Sequence, residues 1–148
     1  TAVHDGAVAV DNALGGKATK NYAGVPSVIF THPEVASVGL TQKEAEEKYQ
    51  IAAGRFPFRN LGKATAENEP AGEVLVIADK KTDKLLGVHI CGSHATEIIH
   101  VAALAINRGL TATELGSLIF GHPVMSEAIM EAVHDVHGMC AHLGKKKV

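Results

Sequence analysis

Residues 73–90 read EVLVIADKKTDKLLGVHI. Two apolar runs, rich in Val, Ile and Leu, flank the polar Lys80-Lys81-Thr82-Asp83. β-Branched side chains suit a pleated surface, and a short polar stretch between two such runs predicts a β-hairpin. The rest of the chain is read outward from it. Upstream, VPSVIF (25–30) and EVASVGL (34–40) predict two further extended segments, and AAGRFPFRN (52–60) a third. Pro57 cannot donate to a ladder, so the third belongs at a sheet edge or a bulge. TQKEAEEKY (41–49) carries Thr41 and Glu44 in capping-box spacing and predicts a short polar helix.

Downstream the pattern turns helical. SHATEIIHVAALAINRG (93–109) predicts a helix capped by Ser93 and stopped at Gly109. Its apolar residues between 98 and 106 run nearly all round, so it is expected to be covered on more than one side, by its sheet and by a second subunit. TATELGSLIF (111–120) opens on a second capping box, Thr111 and Glu114, and residues 126–136 predict a last helix with Ile129, Val133 and Val136 on one face. At the other end, residues 1–24 read as a helix tail that stops at Gly15-Gly16 and runs into a linker. The sum is an α+β fold, an antiparallel sheet with helices packed on it.

At 148 residues the chain can bury a real core, and 46% hydrophobic against 20% charged residues describes a globular domain. A formal net charge of −2 gives no reason to expect nucleic acid or an anionic membrane surface. The basic run Lys145-Lys146-Lys147 is expected to be a solvated tail. No apolar stretch approaches the ~20 residues that cross a bilayer. The first residues, starting at Thr1, have no leader-like pattern, and this does not place the parent protein. Cys91 and Cys140 form no CxxC or CxxxxC unit and are expected to be reduced, as in an intracellular compartment.

The chemistry-bearing stretch is FGHPVMSEAI, residues 120–129. On a continuous helix His122 and Glu127 would point about 140° apart. Pro123 places His122 before the helix, and Ser126 is a candidate N-cap, which leaves Glu127 in the first turn. Residues 122–125 could then fold the imidazole back on the carboxylate, an arrangement that suits general acid–base catalysis. The plainer reading is a His-Pro helix entrance with a dipole-favoured glutamate. Of the other histidines, His134 and His137 have metal-ligand spacing but no obvious third ligand beyond adjacent Asp135 and Cys140, so no metal is expected. His32 is expected to shape a turn, His89 to pack, and His94 and His100 to satisfy backbone or partner groups. No GxGxxG, Walker or GxSxG motif is present. An acid–base pair without nucleophile or cofactor points to chemistry on another chain, or to part of an enzyme.

Three stretches together carry a resemblance: VPSVIFTHPEVASVGLT (25–41), GEVLVIADKKTDKLLGVHICGSHATEII (72–99) and GHPVMSEAIMEAVH (121–134). They resemble the C-terminal interface domain of the flavin-dependent pyridine nucleotide–disulfide oxidoreductases, and within that family the dihydrolipoamide dehydrogenases. The resemblance implies that residues 1–24 are the tail of an FAD domain and 25–148 the dimerisation domain. It implies that the FAD and NAD domains and the redox-active CxxxxC disulfide lie upstream. It implies a homodimer in which His122 and Glu127 form a catalytic dyad reaching the partner subunit's disulfide. The cis His122-Pro123 backbone would lie near the partner's FAD.

FAD and NAD are therefore expected in the full enzyme and none bound to these residues alone, which are not expected to turn over substrate. The implied partners are a lipoyl-bearing acyltransferase or glycine-cleavage carrier protein, met through dihydrolipoamide. The implied location is the cytoplasm of a bacterium or the mitochondrial matrix. Gly121-His122-Pro123-Val124 departs from the family's usual Ala-His-Pro-Thr and removes a hydroxyl beside the dyad. Two alternatives stand beside this reading: a glutathione-reductase-like relative, and a purely structural dimerisation module.

Overall fold

A computed structural model describes residues 1–144. The elements are α1 (Ala2–Ala13), β1 (Ser27–Ile29), β2 (Val35–Gly39), α2 (Gln42–Glu46), β3 (Ile51–Pro57), α3 (Gly62–Ala66), β4 (Gly72–Asp79), β5 (Leu85–Gly92), α4 (Ala95–Arg108), α5 (Ala112–Gly116) and α6 (Glu127–Val136). The five strands form one antiparallel sheet in the order β1-β2-β5-β4-β3. The predicted hairpin, β4 and β5, is its middle, and the other strands build on both sides of it. Lys145, Lys146 and Lys147 lie outside the described residues.

Alternation decides which face is covered. Ala36, Ile90, Val74 and Phe56 stand opposite one another across four strands, and Val38, Val88, Val76 and Gly54 form the next row. All eight are buried, and α4 packs over β2 and β5 while α6 packs over β3 and β4. Fully burying such an aliphatic or aromatic side chain is worth about 1.5–3 kcal/mol each. Gly54 is required by contact: a Cβ there would stand 2.0 Å from the Ala132 carbonyl oxygen of α6. On the reverse face Ser37, His89, Leu75 and Arg55 stay partly or fully exposed.

β3 is an edge strand with Pro57 as its last residue, as predicted. The edge is shielded by α6: the buried Asp135 carboxylate accepts the Arg55 N–H at 2.9 Å. Both predicted capping boxes are present, Thr41 with Glu44 and Thr111 with Glu114. The hairpin turn is tied by Asp79, whose carboxylate accepts from Lys81 N–H and the Thr82 hydroxyl. Asp83 then accepts from the N–H and hydroxyl of Thr113 at 2.9 and 2.7 Å, joining the turn to α5. α1 buries none of its residues and is held to the following segment by the Asp5–Lys20 ion pair at 2.5 Å.

Two local expectations are corrected. Ser93 is not the cap of α4: His94 occupies that position with φ of 61°, and the Glu34 carboxylate, from the turn before β2, accepts the Thr96 N–H and hydroxyl at 2.9 Å each. A carboxylate from another element has replaced the local hydroxyl. Within one chain the sheet covers part of α4: Ile99, Ala102, Ala103 and Ala105 are buried, Ile98, Val101 and Ile106 are half-buried, and Leu104 is 61% exposed. The 3₁₀ turn at Phe58–Asn60 and the short α3 were not foreseen, because burial of Phe58 and Ala64 fixes them rather than any periodicity. Gly109 ends α4 with φ of 66°, as expected.

Candidate acid–base site at the head of α6

The segment between α5 and α6 is anchored from below by Met125, which is buried in the core, and from behind by the backbone of the first turn, where Ala128 N–H donates to the Met125 carbonyl at 3.1 Å. Pro123 follows a cis peptide bond, and the turn it makes brings His122 over the helix start. His122 Nδ1 lies 2.9 Å from Glu127 Oε1, and since a carboxylate can only accept, Nδ1 carries the proton. The other carboxylate oxygen accepts the Val124 N–H at 2.8 Å. Both oxygens of Glu127 are thereby fixed, and the main chain supplies a bond where Val124 has no hydroxyl to offer.

Ser126 occupies the N-cap position as expected, in helical conformation and with no side-chain cap bond. The N–H groups of Glu127, Ala128 and Ile129 go instead to the carbonyls of Val124, Met125 and Ser126, which leaves the Glu127 carboxylate to reach back to Val124 N–H. The result is a carboxylate 15% exposed beneath an imidazole 78% exposed. With Nδ1 held, Nε2 is the nitrogen left to take or give a proton.

The remaining sequence candidates separate from this site. His134 donates to the Gly116 carbonyl at 3.0 Å, and His137 pairs with Asp83 at 3.2 Å, so the two rings serve different partners. His89 donates to the Leu40 carbonyl at 3.0 Å, His94 meets Glu67 at 3.2 Å, and His100 lies 3.2 Å from its own helix carbonyl at Glu97. His32 shapes a turn through a second cis His-Pro bond. Cys91 and Cys140 are both free thiols. Two residues the sequence reading passed over stand beside the dyad: Glu131, one turn along α6, and His142, whose Nδ1 lies 2.7 Å from Glu131 Oε1. The only sequence signal was the four-residue spacing of Glu127 and Glu131.

The sheet is antiparallel throughout, with no parallel strand pair among the described residues. No helix among them is long and apolar enough to cross a membrane.

Residues 25–133 match the family model described as "Pyridine nucleotide-disulphide oxidoreductase, dimerisation domain". The chain belongs to that family. It is 41% identical over 143 residues to a dihydrolipoyl dehydrogenase of Thermus scotoductus, covering 96% of this chain and 31% of that protein. A mitochondrial dihydrolipoyl dehydrogenase of Arabidopsis thaliana is 40% identical over the same length, with 96% and 28% covered. Among solved structures, LpdA from Mycobacterium tuberculosis superimposes with a TM-score of 0.79 at 26% identity, covering 86% of this chain and 28% of that one. The HOCl-induced flavoprotein disulfide reductase RclA from Escherichia coli does so with 0.75 at 27%, covering 84% and 29%. The chain thus spans about three tenths of the length of the curated relatives it matches.

Proposed function

We propose that this chain is the C-terminal dimerisation domain of a dihydrolipoyl dehydrogenase, and that His122 and Glu127 are its acid–base dyad. The observation that carries the proposal is the 2.9 Å contact between the exposed His122 ring and the half-hidden Glu127 carboxylate at the head of α6. His122 Nε2 takes a thiol proton from dihydrolipoamide, which makes the sulfur nucleophilic. Glu127 holds the ring by its Nδ1–H and stabilises the imidazolium that results. The thiolate acts on the redox disulfide of the partner subunit, so each site is completed by a histidine from across the two-fold of a homodimer.

FAD and NAD belong to parts of the full enzyme beyond these residues; the cis His122-Pro123 backbone approaches the partner's flavin as a neighbour and not as its holder. The start of the family match at residue 25 supports reading residues 1–24 as the tail of an FAD domain and 25–148 as the dimerisation domain. The electron donor in the cell is a lipoyl-bearing acyltransferase or a glycine-cleavage carrier protein, met through its dihydrolipoamide, in a bacterial cytoplasm or a mitochondrial matrix. Relatives of both origins support that placement. The test is a substrate comparison on the full-length enzyme: dihydrolipoamide with NAD⁺ against oxidised glutathione with NADPH. The proposal expects turnover of the first pair; turnover of the second alone contradicts it and favours a glutathione-reductase-like enzyme.

A further inference from the structure

Glu127 and Glu131 lie four residues apart on α6, which puts them on one face about 6 Å apart along the axis. Glu131 is almost wholly enclosed, its side chain 4% exposed, yet both its oxygens are bonded. Oε1 accepts the Nδ1–H of His142 at 2.7 Å, and Oε2 accepts the Cys140 thiol at 2.8 Å and the Ala141 N–H at 3.2 Å. Burial pushes this carboxyl up, but those donors together hold it below the ordinary glutamate value. The Cys140 thiol is itself pushed up to about 11, by burial and by the carboxylate it faces, so it stays a protonated donor. Asn60 donates to the His142 carbonyl at 2.9 Å and fixes the segment against the turn after β3.

The two imidazole–carboxylate pairs share a cleft of about 250 Å³. Its titratable lining is His122, Glu127, Glu131 and His142; the other walls, Asn60, Leu61 and Gly62, are uncharged. We infer that Glu131 and His142 are positioning residues for the reaction at His122, setting the charge against which that ring takes up and releases its proton. This rests on the reading of His122 as the base. Tying down residues 140–142 needs no imidazole, since the Cys140 thiol, the Ala141 N–H and the Asn60 amide already do it. His142 instead lines the cleft with a ring 64% exposed and donates to a second buried carboxylate on a wall that already carries Glu127. An anion on the wall of a cleft favours the protonated form of an imidazole that shares it, and its removal disfavours that form.

The experiment is the pH dependence of kcat/KM for dihydrolipoamide oxidation by the full-length enzyme, with Glu131→Gln, His142→Gln and His122→Gln beside wild type. Glu131→Gln removes an anion and should move the acid limb down. His142→Gln removes the imidazole donor from that carboxylate, leaves its charge less compensated and should move the same limb up. Limbs that stay in place in both variants, or move the same way, overturn the inference and make the cluster structural. If Glu131→Gln does not fold, His142→Gln decides alone: an upward shift supports the inference and an unmoved limb overturns it. His122→Gln separates the two claims. Full activity there sinks the underlying dyad, whereas lost activity with unmoved limbs sinks only the role of Glu131 and His142.

Discussion

Two turns of this chain share a dipeptide and diverge in use. Thr31-His32-Pro33-Glu34 and Gly121-His122-Pro123-Val124 both hold a cis His-Pro bond, both expose the histidine, and both are followed by a glutamate near a helix N-terminus. Glu34 is two residues beyond its histidine and sends its carboxylate away, to the N–H and hydroxyl of Thr96 at the head of α4. Glu127 is five residues beyond and is the first residue of α6, so its carboxylate returns to the His122 ring and the Val124 N–H. The first carboxylate closes a helix; the second orients an imidazole. What makes a His-Pro turn chemical is the destination of the carboxylate, not the dipeptide.

The largest effect should come from exchanging the two histidines for glutamine in the full-length enzyme. A general acid–base group is typically worth ~10²–10⁴-fold in rate, so His122→Gln should lower dihydrolipoamide oxidation by that order, whereas His32→Gln should leave it near wild type. Steady-state assays on both variants check this, and equal losses would erase the comparison.

The glutamates should part along a different axis. Loss of a helix cap costs about 1 kcal/mol, so Glu34→Gln should lower the melting temperature by a few degrees with kcat little changed. Glu127→Gln should show the reverse balance, losing turnover, though less than His122→Gln because it orients the ring without moving the proton. Paired melting curves and rates decide whether the two carboxylates trade these roles.

How much of this was legible in the sequence follows from the range of each interaction. The hairpin, both capping boxes, the edge position of β3 and the stop at Gly109 rest on neighbours within a few residues, and each is where the pattern placed it. The cap of α4 was misread because its acceptor, Glu34, comes from another part of the chain and displaces Ser93. The His122–Glu127 contact was legible as a possibility, since Pro123 forces the histidine off the helix. Glu131 and His142 were not, because only the folding of residues 140–142 onto α6 brings a second histidine to the cleft. α3 escaped because a five-residue helix has no period to read.

A smaller effect concerns acid. Hydrogen bonds from the backbone N–H and the hydroxyl of Thr96 hold Glu34 below its ordinary value of 4.5. A carboxyl depressed in the folded state contributes stability that is full above the unfolded value and is lost as pH falls through the folded one. Stability should therefore decline below about pH 4.5, and Glu34→Gln should flatten part of that decline. Urea melts across this window read the slope directly, and an unchanged slope would remove the Thr96 bonds from the account.

The central claim is that this domain lends His122 to the other subunit, and heterodimer complementation tests it most directly. One full-length protomer carries His122→Gln with an intact redox disulfide; the other keeps His122 but has that disulfide disabled. Each homodimer is inactive. If the histidine acts across the two-fold, the mixed dimer rebuilds one complete site and should recover about half of wild-type turnover. If mixed dimers, purified by two different tags, are as inactive as their parents, His122 does not serve its partner and the account is wrong.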